Sequence, residues 1–112
     1  MPEMKKDIKK LWVKALRSGQ YKQGTDCLRT GEKFCCLGVL CDLHAKATGD
    51  FWKNKNVYYE ETGVLPIPVM RWAGLNNKNP YIGDYALSQY NDGEDCKKQS
   101  FKKIAALIQR HL

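Results

Sequence analysis

At 112 residues, with 43% apolar and 11% aromatic residues, the chain has material for a single domain, 1–112, with one modest core, and its composition speaks against intrinsic disorder. No apolar run approaches the roughly 20 residues of a membrane span, and polar Met1–Lys6 lacks the apolar stretch of a secretory signal, so a cytoplasmic protein is expected, without a membrane partner. The net charge of +7, from 19 Lys and Arg against 12 Asp and Glu, favours anionic partners, while the scattered lysines form no dense Arg-rich nucleic-acid reader.

Residues 4–18 predict an amphipathic helix. Ile8, Leu11, Trp12, Ala15 and Leu16 recur at steps of three and four, and Gly19 is a natural stop. Lys5, Lys6, Lys9, Lys10, Lys14 and Arg17 cover the rest, which reads first as a solvated face and second as an anion-binding one. Tyr21–Gly24 reads as a loop. Cys27–Thr30 and Lys33–Cys35 flank Gly31-Glu32, the pattern of a short hairpin.

The chain then enters Phe34–His44, which is apolar for most of its length and holds three of the five cysteines. Residues 36–47 predict a helix that is apolar nearly all round, hence buried, with Gly49 as its stop. Asp42 and Lys46 stand four apart on the one polar strip and can pair. Gly38 in the helix interior costs about 1 kcal/mol relative to Ala, so close approach of another backbone or of a ligand is expected there.

Beyond it, the Lys-Asn-Lys-Asn centre of Phe51–Tyr59 suggests a turn between two short strands. Pro68–Ala73 predicts a short helix ended by Gly74, with Val69 and Trp72 facing the core. Tyr81-Ile82 reads as a strand, and Ala86–Tyr90 as a strand or a helical turn. Asn91-Asp92-Gly93 is a turn signal. Ser100 caps a last helix with Phe101, Ile104, Ala105, Ile108 and Leu112 as its apolar face. The expected fold is α+β: a small antiparallel sheet packed against a buried central helix and amphipathic N- and C-terminal helices.

An odd number of cysteines without a secretion signal argues against a disulfide framework and for small buried thiols. A catalytic cysteine at the helix N-terminus would need Cys35 or Cys36 activated by the helix dipole, with Gln23 as an oxyanion donor. It lacks a base, because His44 lies more than 10 Å along the same helix at about 1.5 Å per residue. Cys41 and His44 share a helical face, but no second ligand pair completes a zinc site. Among the carboxylates Asp42, Asp84, Asp92, Glu94 and Asp95, none forms a pair with diagnostic spacing. No metal or cofactor is expected. What remains is anion binding. The amides of residues 35–38 open a helix, Lys22, Arg29 and Lys33 lie upstream, and Gly38 permits close approach. Tyr21, Trp52, Tyr58, Tyr59, Trp72 and Tyr90 could stack a base. The candidate ligand-binding residues are therefore Lys22, Gln23, Gly24, Arg29, Lys33, Cys35, Cys36, Gly38 and Asp42, joined by Tyr90, Asn91 and Asp92.

The segments Trp12–Gly19, Tyr21, Gln23-Gly24, Leu28-Arg29 and Phe34–Leu43, with Asn91-Asp92 ahead of Ser100-Phe101 and Ile104-Ala105, resemble a family of small tailed-phage and prophage proteins that carry the F-C-C-L-G-V-L-C-D-L motif. That resemblance implies an accessory protein acting in the host bacterial cytoplasm, with no activity attached. Small non-structural phage proteins often counter host defences, an argument by association. The expectation is a non-enzymatic binder of a small anionic, nucleotide-like ligand, sequestering a host defence signal and able to act as a homo-oligomer. The alternatives are a protein–protein inhibitor of a host factor and, behind it, a small hydrolase or nuclease.

Overall fold

The computed structural model describes residues 4–112. Its elements run α1 (Lys6–Arg17), β1 (Lys22–Gln23), β2 (Arg29–Thr30), β3 (Lys33–Phe34), α2 (Cys36–Thr48), α3 (Ile67–Ala73), β4 (Tyr81–Ile82), β5 (Tyr85–Ala86), α4 (Leu87–Asp92) and α5 (Phe101–His111). The fold is α+β, with helices gathered around two very small sheets.

α2 is the central element. Leu37, Val39, Leu40 and Cys41 are fully shielded, and Cys36, Gly38, His44 and Ala45 are also buried. Each large aliphatic side chain removed from water in this way contributes about 1.5–3 kcal/mol. α1 lies against both α2 and α5. It turns Ile8, Trp12, Val13 and Leu16 inward, where they meet Phe101, Ile104, Ala105 and Ile108 in one continuous core. The Trp12 indole is wholly enclosed, and its Nε1 donates to the Cys36 carbonyl at 2.9 Å, tying α1 to the first turn of α2. Ser100 caps α5 through the Lys103 amide.

The turn at Gly31 forms as expected: β2 and β3 pair antiparallel, Arg29 opposite Phe34 and Thr30 opposite Lys33. Tyr21–Gly24 is not wholly a loop. Lys22 and Gln23 form β1, which pairs parallel to β3 with Lys22 beside Lys33. Two polar residues carry no alternation of their own; the partner strand decides their conformation. The strand pair expected in residues 51–59 is reduced to single bridges, Lys53 with Val57 and Tyr58 with Glu61. Positive φ at Asn54, Lys55, Tyr59 and Glu60 curls this segment too tightly to extend a ladder. Ala86–Tyr90 divides its roles: Ala86 ends β5, and α4 follows through Asp92 before Gly93 closes it in the left-handed region.

Gly38 answers to a backbone. A Cβ on it would stand 1.8 Å from the Leu28 carbonyl oxygen, the same oxygen that accepts the Cys35 amide at 3.1 Å. The segment leading into β2 therefore crosses α2 at van der Waals distance, and only glycine fits. Gly38→Ala should cost about 3 kcal/mol, the upper range for overpacking into backbone that cannot yield. Urea unfolding at neutral pH measures it, and a loss below about 1 kcal/mol would show that the Leu28 strand can move aside.

Candidate functional site

The first turn of α2 is closed by the chain itself. Cys35 is its N-cap, and the thiol sulfur accepts the Gly38 amide at 3.4 Å. The Cys36 amide donates to Asn91 Oδ1 at 3.1 Å. Gln23 Nε2 also reaches Asn91 Oδ1, at 3.1 Å, and the Gln99 carbonyl at 2.8 Å. Asn91 Nδ2 donates to the carbonyl of Gly24 and to Asp92 Oδ1, both at 2.8 Å. The structure thus brings together Gln23, Gly24, Cys35, Cys36, Gly38, Asn91 and Asp92, but as a linked internal network. The donors at Cys36 and Gly38 that would meet an anion already have acceptors. Nor does the helix N-terminus activate a thiol. Burial pushes Cys35 up to about 12 against the pull of the Gly38 and Leu37 amides, and burial likewise holds Cys36 and Cys41 well above an ordinary thiol.

An open site lies on the polar strip of α2, four residues further along the helix. Asp42 is its pivot. Tyr21 donates its hydroxyl to Asp42 Oδ2 at 2.5 Å, and the Trp52 indole donates to Oδ1 at 3.1 Å. Lys46 Nζ stands 3.2 Å from Oδ2 and also donates to the Tyr21 hydroxyl at 3.1 Å. These contacts fix Trp52 and Tyr21 against the helix. Burial raises the Tyr21 pKa, helped by its bond to Asp42, and the bond to Tyr21 raises that of Lys46, so the phenol stays protonated and the amine charged at neutral pH.

Arg29 leans over the same wall. Its guanidinium carbon lies 4.8 Å from the Phe34 ring centre and 5.4 Å from that of Trp52, with Nε donating to the Gly31 carbonyl at 2.7 Å. Between Arg29, Lys46 and Lys55 opens a cleft of about 390 Å³, walled also by Asp42, Asp50, Phe51 and Trp52. Phe51 is 83% exposed, an unusual position for a large apolar ring. Of the two carboxylates, Asp42 is engaged as described and Asp50 accepts the Tyr59 hydroxyl. Among the described residues Lys55 has no ion-pair partner, and Arg29 reaches only Glu32, at 3.9 Å.

A family model for a domain of unknown function, DUF8296, matches residues 4–112. The chain belongs to the DUF8296 family. No curated protein and no solved structure matches it. Since DUF8296 carries no activity in its description, chemistry has to be read from the residues themselves.

The remaining sequence candidates of this DUF8296 chain lie elsewhere. Lys22 and Lys33 are neighbours across the β1–β3 pair, both exposed and outside the cleft walls. Tyr90 donates to the Ile82 carbonyl at 2.7 Å and borders a separate hollow of about 380 Å³ beside Lys103 and Arg110. Asp92 joins Asp26 and Glu94, with carboxylate oxygens within 4.8 Å of one another, beside Cys27 and Cys35 in a recess of about 210 Å³. Those three carboxylates have the oxygen chemistry to ligate a hard divalent cation. Arg29 and Asp42 meet in the open cleft, joined by Trp52 from the aromatics expected to stack a base. Lys55, Phe51 and Asp50 escaped sequence reasoning because they sit in an irregular segment with no periodicity to interpret; the visible signal was the Asp42–Lys46 spacing.

His44 is buried, with Nδ1 2.6 Å from the Tyr58 hydroxyl and edge-to-face contacts to Tyr58, Tyr59 and Trp72. Burial lowers its pKa, with Asp50 opposing weakly, and burial raises that of Tyr58, so the phenol donates to a neutral ring. The unfolded chain then takes up a proton near pH 6.5 that the folded chain refuses. His44 leaves stability unchanged above about pH 6.5 and subtracts from it as pH falls below. A proton NMR titration should find the His44 ring titrating below 6.5 in the folded protein; a value at or above 6.5 would contradict a buried neutral imidazole.

Thiol chemistry gives a second check. Cys27 and Cys96 are half-buried, whereas Cys35, Cys36 and Cys41 are enclosed. Native protein treated with an aromatic disulfide reagent should release colour rapidly from Cys27 and Cys96 at most, and from the other three on the timescale of unfolding. Rapid modification of Cys35 or Cys36 would overturn the assignment of these thiols as inert.

Proposed function

We propose that this protein binds a small anionic, nucleotide-like ligand in the cleft between Arg29, Lys46 and Lys55, and that it holds the ligand without transforming it. The observation that carries the reading is the meeting of those cations with an outward-facing Phe51 and an anchored Trp52 around about 390 Å³. Arg29 and Lys55 supply charge for a phosphate, and Arg29 can offer it a two-pronged donor. Phe51 and the edge of Trp52 supply apolar surface for a base. A cleft of this size falls within the usual range for small-molecule sites. The nucleophiles of α2 are buried and protonated, which supports retention over turnover. With the phage resemblance, the role is sequestration of a host defence signal in the bacterial cytoplasm.

Thermal-shift and calorimetric titration with mononucleotides, cyclic nucleotides and cyclic dinucleotides tests this. At a hundredfold excess over Kd, a ligand contributes about 2.7 kcal/mol and raises Tm by about 10 °C for a domain of this size. Lys55→Ala, at an exposed side chain outside the core, should weaken binding about tenfold, and Arg29→Ala more. If no nucleotide raises Tm, or if both variants bind as the parent does, the cleft is not the site.

A further inference from the structure

One side of α1 presents a run of cations with no carboxylate among them. Lys6, Lys9, Lys10, Lys14 and Arg17 line a groove of about 690 Å³ whose far side is formed by Gln109 of α5 and whose floor is Val13. Among the described residues no carboxylate lines it; Asp7, on the same helix, is not among its walls. Lys10, Lys14 and Arg17 recur at steps of four and three, so a cation appears once per turn along an element about 18 Å long at 1.5 Å per residue. Val13 is 7% exposed, and the methylene stems of the lysines continue its apolar surface up the walls.

We propose that this groove docks an acidic amphipathic helix of a partner protein. A helix laid along α1 and α5 repeats with the same turn spacing, so Glu or Asp at steps of three and four meet the α1 cations in register. Its small apolar residues settle over Val13 and the lysine stems, the helix-in-groove mode. Three observations favour this occupant over nucleic acid. Four of the five cations are Lys, a point charge without the planar fork that grips phosphate. No aromatic side chain among the described residues lines the groove to stack a base. The floor is apolar, which a phosphate backbone leaves unused. Against a bilayer, the one apolar residue lining the groove, Val13, is recessed at 7% exposed, and Leu11, the exposed apolar residue of α1, is not among the lining residues. The site is separate from the Arg29–Lys55 cleft and does not depend on it.

The test uses fluorescence polarisation with a labelled peptide of about 18 residues carrying Glu at helical spacing and an Ala/Leu stripe, enough to span α1. A scrambled peptide of equal composition, which loses the stripe, and a short DNA duplex serve as competitors. Lys10→Glu/Lys14→Glu alters the groove; Lys22→Glu/Lys97→Glu makes the same change in net charge at exposed positions outside it. Circular dichroism confirms that each variant is folded. Docking predicts that the ordered peptide binds at least about tenfold tighter than the scrambled one, weakens with added salt, and loses at least about tenfold in affinity with Lys10→Glu/Lys14→Glu but less than about threefold with the control. Absence of binding, equal binding of the scrambled peptide, equal loss in both variants, or tighter binding of the duplex would each overturn the proposal. Nucleotide affinity measured on the same variants keeps the two sites apart: the groove variant should leave it unchanged.

Discussion

One buried amide holds the α2 N-terminus in place. The Asn91 side chain meets the Cys36 amide across 55 residues of chain and the Gly24 carbonyl across 67. A buried polar group left without a partner costs about 1–3 kcal/mol, so a helix end brought into the core has to be capped by something. Here Cys35 caps the Gly38 amide from within the chain, Asn91 of α4 takes the Cys36 amide, and Gln23 holds Asn91 in turn. The arrangement explains why the most apolar stretch of the sequence can begin inside the protein. It also explains why that beginning is occupied: the donors suited to an anion are the donors that burial obliges the chain to satisfy internally.

Charge follows a similar division. The core requires α1 and α5 to face each other with their apolar stripes, and this drives the lysines of α1 to one outer side, where they share a groove with α5. On another part of the surface Asp26, Asp92 and Glu94 crowd around Cys27 and Cys35. A chain of net charge +7 therefore carries a positive groove and a small negative recess rather than an even coat. Separated fields of this kind steer partners of opposite sign to different places.

The long elements were legible because periodicity states them. α1, α2 and α5 fall where apolar residues recur at three and four, and their stops at Gly49 and beyond Ser18 obey simple capping chemistry. The Gly31 turn and the Asp42–Lys46 pair are local and equally readable. β1 was not, since Lys22 and Gln23 become a strand only beside β3. The cleft was half legible. Arg29 and Asp42 stood out, but Lys55, Phe51 and Asp50 reach it through a segment whose path is set by left-handed residues such as Asn54 and Lys55, and nothing in their spacing announces that. The role of Asn91 was hidden for a similar reason: a turn-like Asn-Asp-Gly looks the same in sequence whether its side chain faces water or the core.

Gly38 has a consequence for how the molecule opens. With no side chain between α2 and the Leu28 carbonyl, that carbonyl accepts Cys35 while lying against the helix backbone itself. The β2–β3 hairpin and the first turns of α2 therefore have no soft layer between them along which to separate. Local fluctuations release parts of a protein only where they can part without breaking the remainder. The hairpin and the first turns of α2 are therefore expected to open together, with the amides of Cys35 and Val39 among the slowest to exchange. In the 51–60 segment strand pairing is limited to single bridges, which open at lower cost than a packed helix. The wall of the cleft built on Arg29 and Asp42 thus belongs to the packed unit, and the one built on Phe51 and Lys55 to the loosely paired segment.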